Sequence, residues 1–264
     1  MRNLIFAATS AAALTLLYCL SPQPAQADDM LAQFKRSDGK WGFVNSDQCW
    51  VIDPQFDFTL SFSEGLASVK LGNKWGFINR SGKMVIKPQF DRVESFSEGL
   101  AGVRLDNKWG FIDRSGQMVI NPQFPDAYSF SEGLARVKLG NKWGFIDRSG
   151  KMVINPQFEL AWPFSEGLAG VRLDNKWGFI DRSGQMVIRP LFVGVVSFSE
   201  GLAVVVLGSK YGFIDRSGKM VIDTQFEFAG SFEEGWAPVN LGDPSYQINK
   251  QGQILLDPTC VARP

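Results

Sequence analysis

The sequence of 264 residues contains no histidine. This removes the side chain that most often acts as a general base, activates a nucleophile or ligates a metal near neutral pH. Charge of one sign is missing too: 27 Lys and Arg balance 27 Asp and Glu. No broad positive field is therefore available to hold nucleic-acid phosphates or an anionic membrane surface, and nucleic acid is not an expected partner. Cysteine is scarce, with Cys19, Cys49 and Cys260 alone, too few for the disulfide framework of a small secreted domain. Glycine-rich phosphate loops, zinc-spaced cysteines and Ser-centred elbows are absent, so no metal or cofactor is expected.

The one long apolar run lies at the start. Met1-Arg2 precedes an apolar stretch from about Leu4 to Leu20, then Ser-Pro-Gln-Pro-Ala-Gln-Ala, ending at Ala27. This is the pattern of a signal peptide over residues 1–27, with Ala25 and Ala27 at the small-residue positions and cleavage expected before Asp28. The run is short for ~30 Å of hydrocarbon, so no integral membrane span is expected after cleavage. Tyr18 sits where a lipoprotein signal carries a small residue, which argues against anchoring through Cys19. The expected location is periplasmic or extracellular, where a disulfide between Cys49 and Cys260 could persist.

What fills the rest is repetition. Trp-Gly-Phe begins at Trp41, Trp75, Trp109, Trp143 and Trp177, and Tyr211-Gly-Phe continues the series, each 34 residues after the last. The glycine of an Arg-Ser-Gly turn keeps the same spacing at Gly82, Gly116, Gly150, Gly184 and Gly218, and Gly252 marks a degraded seventh unit. Ser-Glu-Gly-Leu-Ala recurs around Gly65, Gly99, Gly133, Gly167 and Gly201, and Leu31-Ala-Gln-Phe34 reads as a leading copy of the strand that follows it. Residues 28–264 are therefore expected to form one domain of seven tandem repeats.

Each unit reads as three strands. In the unit at 100–124 they are Leu100–Leu105, Lys108–Asp113 and Gln117–Phe124, joined by Asp106-Asn107 and by Asp-Arg-Ser-Gly, where glycine supplies the positive φ of a tight turn. Alternation puts Trp109 and Phe111 on one face and leaves room over Gly110, expected to admit a neighbouring repeat. Met118, Ile120 and Phe124 are expected to share a face, and Pro122 to mark a strand end or edge. A three-stranded unit cannot bury its aromatic rows alone, so Trp41, Trp75, Trp109, Trp143, Trp177 and Tyr211 are expected to form a structural core between repeats.

Lys-Trp-Gly-Phe-Ile-Asp-Arg-Ser-Gly-(Lys/Gln)-Met-Val-Ile-x-Pro-Gln-Phe followed by Phe-Ser-Glu-Gly-Leu-Ala resembles the bacterial WG-repeat family over about residues 30–258. That resemblance implies an exported β-rich repeat protein and supplies no catalytic residue. A fainter similarity, to choline-binding cell-wall repeats, is one of aromatic hairpins only.

The fold class is thus all-β: seven 34-residue repeats of short antiparallel hairpins, either β-propeller-like or an open β-solenoid or spiral. Cys49 opens a third strand whereas Cys260 stands where one ends, so aligned strands would hold them apart and a disulfide clasp is not expected.

Because the repeats are near-copies, the positions that differ are informative. The segment after each Pro-Gln-Phe varies most and supplies the candidate ligand-binding loop residues Arg92, Glu94, Asp126, Tyr128, Trp162 and Phe228. Two readings stay open: loops gathered into a binding surface, or solvated connectors under weak constraint. The recurring Glu98, Glu132, Glu166 and Glu200, and Asp113, Asp147, Asp181 and Asp215, are read as turn and loop caps, with Asp-Arg forming exposed ion pairs. The expected function is a non-enzymatic scaffold that binds protein or envelope polysaccharide. The alternatives are a structural envelope protein and, less favoured, a hydrolase.

Overall fold

A computed structural model describes residues 31–242 and 245–255. The signal segment, Cys19 and Cys260 lie outside the described residues. Cys49 is disulfide-bonded; the expectation that it does not pair with Cys260 falls outside the described residues.

The described residues form antiparallel strands in seven small sheets, and none of them is helical. The chain divides into two compact units, one up to Phe96 and one from Ser97. In the first, Ala32–Lys35, Trp41–Val44 and Trp50–Phe56 make the first sheet. The second sheet runs in order Phe58–Thr59, Leu66–Leu71, Lys74–Asn79, Met84–Phe90. The second unit repeats this plan, its third sheet built on Leu100–Leu105, Lys108–Asp113 and Met118–Phe124. The fourth sheet runs Asp126–Ala127, Leu134–Leu139, Lys142–Asp147, Met152–Phe158. The fifth runs Leu160–Ala161, Ala169–Leu173, Lys176–Ile180, Met186–Phe192. The sixth and seventh cover 194–226 and 228–249. Such four-stranded meanders are β-propeller-like in strand order. The short opening strand corrects the three-strand reading: the middle two residues of the variable segment after Pro-Gln-Phe form the edge strand of the next sheet.

The core lies between sheets. On the fourth sheet Trp143, Phe145, Ile154 and Phe158 share one face, and against it pack Ala161, Phe164, Ala169, Val171 and Ile180 of the next repeat. The same arrangement joins the third sheet to the fourth, the fifth to the sixth and the sixth to the seventh. In the first unit Phe43, Ile52 and Phe56 meet Ala67, Val69 and Ile78. Large rings on one sheet thus face small residues on the next, which lets stacked sheets close to native packing density. The phenylalanine of Trp-Gly-Phe also meets the one before Ser-Glu-Gly edge to face, at 4.9 Å for Phe111 and Phe130, Phe145 and Phe164, and Phe179 and Phe198.

Two details depart from simple alternation. The ladder pairs Phe111 with Ile120 but Ile112 with Met118, so a bulge separates the methionine from the isoleucine two residues on. Met152 accordingly packs toward the third sheet while Ile154 and Phe158 face the fifth, correcting the expectation that Met118, Ile120 and Phe124 share a face. Gly144 is covered by the bulged third strand of its own sheet: a Cβ there would stand 2.4 Å from the Ile154 carbonyl oxygen and 2.8 Å from Pro156 N. The space over the equivalent Gly110 is filled in the same way, not by a neighbouring repeat. Pro156 needs no ladder donor because its strand lies at the sheet edge.

Gly144→Ala should therefore cost about 3 kcal/mol, since backbone rather than a flexible side chain blocks the methyl group. Gly140 sits at φ +59° with nothing within 4 Å of a built Cβ, and Gly140→Ala should cost about 1 kcal/mol through backbone strain alone. Urea unfolding of both variants checks this, and equal losses would contradict the bulge contact.

Candidate functional site

The six candidate residues do not form one cluster. Arg92 is exposed in the two-residue strand Arg92–Val93, and Glu94 follows it half-buried; both belong to the first unit. In the second unit Asp126 is half-buried and paired with Lys138 across the ladder. Phe228 is 52% exposed and lies 5.9 Å from the Tyr211 ring. Only Tyr128 and Trp162 are brought together, and a residue outside the candidate set does it.

That residue is Arg136. At its position the other repeats carry Ser68, Gly102, Gly170, Val204 and Pro238. Its guanidinium lies 3.8 Å from the Tyr128 ring centroid, 5.6 Å from Trp143 and 5.6 Å from Trp162, and its Nη1 donates to the Ala161 carbonyl of the next sheet. It therefore bridges the fourth and fifth sheets through cation–π contacts and a charge-assisted hydrogen bond. The faces that could surround a ligand ammonium already surround this side chain. The missed signal was a single arginine in a slot otherwise filled by uncharged residues.

Trp162 is fixed differently. Its ring stacks on Trp177 at 5.6 Å and 10°, its backbone N–H donates to the Gly170 carbonyl, and a Cβ at residue 170 would come within 2.9 Å of Trp162 Cδ1. Gly170 thus makes room for this ring to lie flat on the sheet. Trp162 keeps 39% of its surface exposed and Tyr128 36%. Beside them Arg172 pairs with Glu159 at 3.1 Å. The repeat tryptophans grade from buried Trp109, Trp143 and Trp177 to half-buried Trp41 and Trp75, with Tyr211 also half-buried. Elsewhere, a hollow of about 740 Å³ is lined by Ser199, Phe232, Glu233, Trp236 and Gln247.

The recurring acids have defined roles. Glu132 accepts from Gly167 N–H at 3.0 Å and Glu166 from Gly201 N–H at 2.9 Å, each tying a turn to the next repeat's turn. Ser131 and Ser165 add hydroxyl bonds to the Phe164 and Phe198 carbonyls. The glutamates sit at positive φ, +52° for Glu132 and +53° for Glu166, a cost of ~1–2 kcal/mol for a side chain other than glycine, which these bonds to the neighbour offset. Arg216 reaches Glu166 at 2.9 Å and Arg182 reaches Glu132 at 3.8 Å, correcting the expectation that these arginines pair with the adjacent aspartates. Asp147 instead accepts from Ser149 Oγ, Ser149 N–H and Lys151 N–H.

A model of the WG containing repeat matches residues 41–75, 75–109, 109–143, 143–177, 177–211 and 211–243. A search of curated proteins finds no match to the sequence. Among solved structures, the crystal structure of a eukaryotic initiation factor is similar with a TM-score of 0.56 at 11% identity, over 85% of this chain and 72% of that one. Dihydro-heme d1 dehydrogenase NirN in complex with DHE gives 0.53 at 14% identity, over 88% of this chain and 63% of that one. At these identities the likeness concerns the fold alone.

Bonds from the serine hydroxyl hold the carboxyls of Asp113, Asp147, Asp181 and Asp215 below the usual aspartate range. A folded-state pKa below the unfolded value contributes stability above pH about 4 that is lost as pH falls through the folded pKa. Asn79 makes the same turn bonds without a titrating group. Replacing all four aspartates by asparagine should therefore leave neutral-pH stability nearly unchanged and flatten its fall below pH 4, read as urea midpoints at pH 7 and pH 3. An unchanged acid limb would contradict the assignment.

Proposed function

This chain belongs to the WG containing repeat family, and on that premise we propose that it is an exported, non-enzymatic scaffold that binds protein or cell-envelope polysaccharide. The carrying observation is the contrast between near-invariant repeat positions and the variable outer strands. The former are consumed in sheet packing and turn capping, whereas the latter carry Phe228 and lead directly into Tyr128 and Trp162, all three partly exposed. Exposed aromatic side chains on a fixed framework lose little entropy on contact, which suits them to recognition. Residues 1–27 support export. Among the described residues no helix is long and apolar enough to cross a membrane.

The test pairs a pull-down from an envelope fraction with a glycan array, using the chain from residue 28. At least one arm should give a saturable ligand. Exchanging the segment 159–162 for Val193-Gly-Val-Val196 should weaken that ligand about tenfold, equivalent to ~1.4 kcal/mol, with a thermal midpoint close to that of the parent. Silence in both arms would overturn the reading.

A further inference from the structure

We propose that the hollow on the seventh sheet binds a basic, extended peptide segment of a partner protein, with Glu233 and Glu234 taking its cationic side chain. This rests on the scaffold reading and gives it a ligand class and a place.

The repeats themselves show what this position holds. Glu98, Glu132, Glu166 and Glu200 each accept the N–H of the glycine in the next turn, Gly133, Gly167, Gly201 and Gly235. Three of them also meet a cation from the following hairpin: Arg182 on Glu132, Arg216 on Glu166 and Lys250 on Glu200. Glu234 stands at the same place in its own turn, with the same positive φ of +52°. Among the described residues, however, its carboxylate has neither an amide nor a cation against it. A carboxylate held where four others are paired calls for the same two groups, and a peptide bearing arginine or lysine brings both.

The surroundings depart from the other repeats in a way that suits such a ligand. Glu233 and Glu234 line a hollow of about 740 Å³ together with Trp236, Pro238 and Gln247. Glu233 replaces the serine found at Ser131, Ser165 and Ser199, and Trp236 replaces the leucine of Leu134, Leu168 and Leu202. Those leucines are buried, whereas Trp236 is half-buried. Unlike Trp162, it has no ring or cation against it among the described residues. Its indole can therefore take the aliphatic stem of the ligand's basic side chain. The wall is fixed in advance: Glu233 and Trp236 exchange backbone hydrogen bonds of 2.8 and 3.1 Å, and Ser199 Oγ donates to the Phe232 carbonyl at 2.7 Å. A preformed site spares the complex the cost of ordering it.

A second copy of the chain fits less well. Gln247 occupies the slot of Phe213, whose ring is wholly buried against the next sheet. A sheet stacked on the seventh would bury that amide without a partner. In place of Arg216 and Lys250, an incoming first sheet would offer the uncharged Ser46.

The experiment is a fluorescence-anisotropy titration of the chain from residue 28 with labelled peptides that alternate glycine with arginine, asparagine or glutamate. A glucosamine oligomer serves as competitor, and light scattering follows the oligomeric state. The arginine peptide should bind saturably, one per chain, and the other two should not bind. Glu233→Gln combined with Glu234→Gln should weaken it about tenfold or more, and Trp236→Leu about threefold. Asp223→Asn combined with Glu227→Gln, which removes the same charge elsewhere, should leave it unchanged. Matching thermal midpoints separate loss of the site from loss of fold. No binding of the arginine peptide, binding indifferent to the paired glutamate substitutions, or tighter binding of the glucosamine oligomer would overturn the proposal. So would self-association that those substitutions abolish, which puts a second copy in the hollow, or binding seen only in Arg263→Ser, which puts the chain's own tail there. A ligand still captured from the envelope fraction after any of these results would leave the scaffold reading standing.

Discussion

Within each unit the fold depends on one contact: the aromatic face of one sheet laid against the small-residue face of the next. Phe145 is wholly buried, in a cluster to which the following repeat contributes Phe164, Ala169 and Val171. At ~2–3 kcal/mol per buried phenylalanine side chain, the rows of phenylalanine outweigh anything the exposed ion pairs contribute, since such pairs are typically worth ~1 kcal/mol or less. The alternation of large and small residues follows from the same contact. The strand that carries Leu-Ala-Gly-Val-Arg-Leu is buried on both faces and has no room for a ring.

Polar contacts refine this packing. Ser-Glu-Gly turns place a glutamate in the left-handed region, where a non-glycine residue is strained, and its carboxylate then caps the next repeat's turn. Strain in one repeat is thereby tied to order in its neighbour, so the turns report whether two repeats are in register. The aspartates act only within their own turns, and Asn79 stands in for one of them.

Much of the architecture was legible in the sequence because the period is rigid and because turns with positive φ need glycine or a short polar side chain. Lys108–Asp113 and its two partners could be drawn from alternation and Gly116. The outer strand Asp126–Ala127 could not, since two residues carry no period and the segment varies among repeats. The face of Met118 was misread because a bulge is invisible to a period of two, although Gly110 opposite Pro122 was its signature. At the candidate site, Tyr128 and Trp162 stood out as variable aromatics, whereas the role of Arg136 depended on a three-dimensional meeting of two repeats.

The central claim is that a repeat is incomplete without its neighbour's face. It is tested most directly by the single repeat 125–158, taken alone and followed by circular dichroism and hydrogen exchange. The account expects a disordered chain with no protected amides, its Trp143, Phe145 and Phe158 having nothing to pack against. A cooperative melt with protected strand amides from that one repeat, as a monomer, would contradict it.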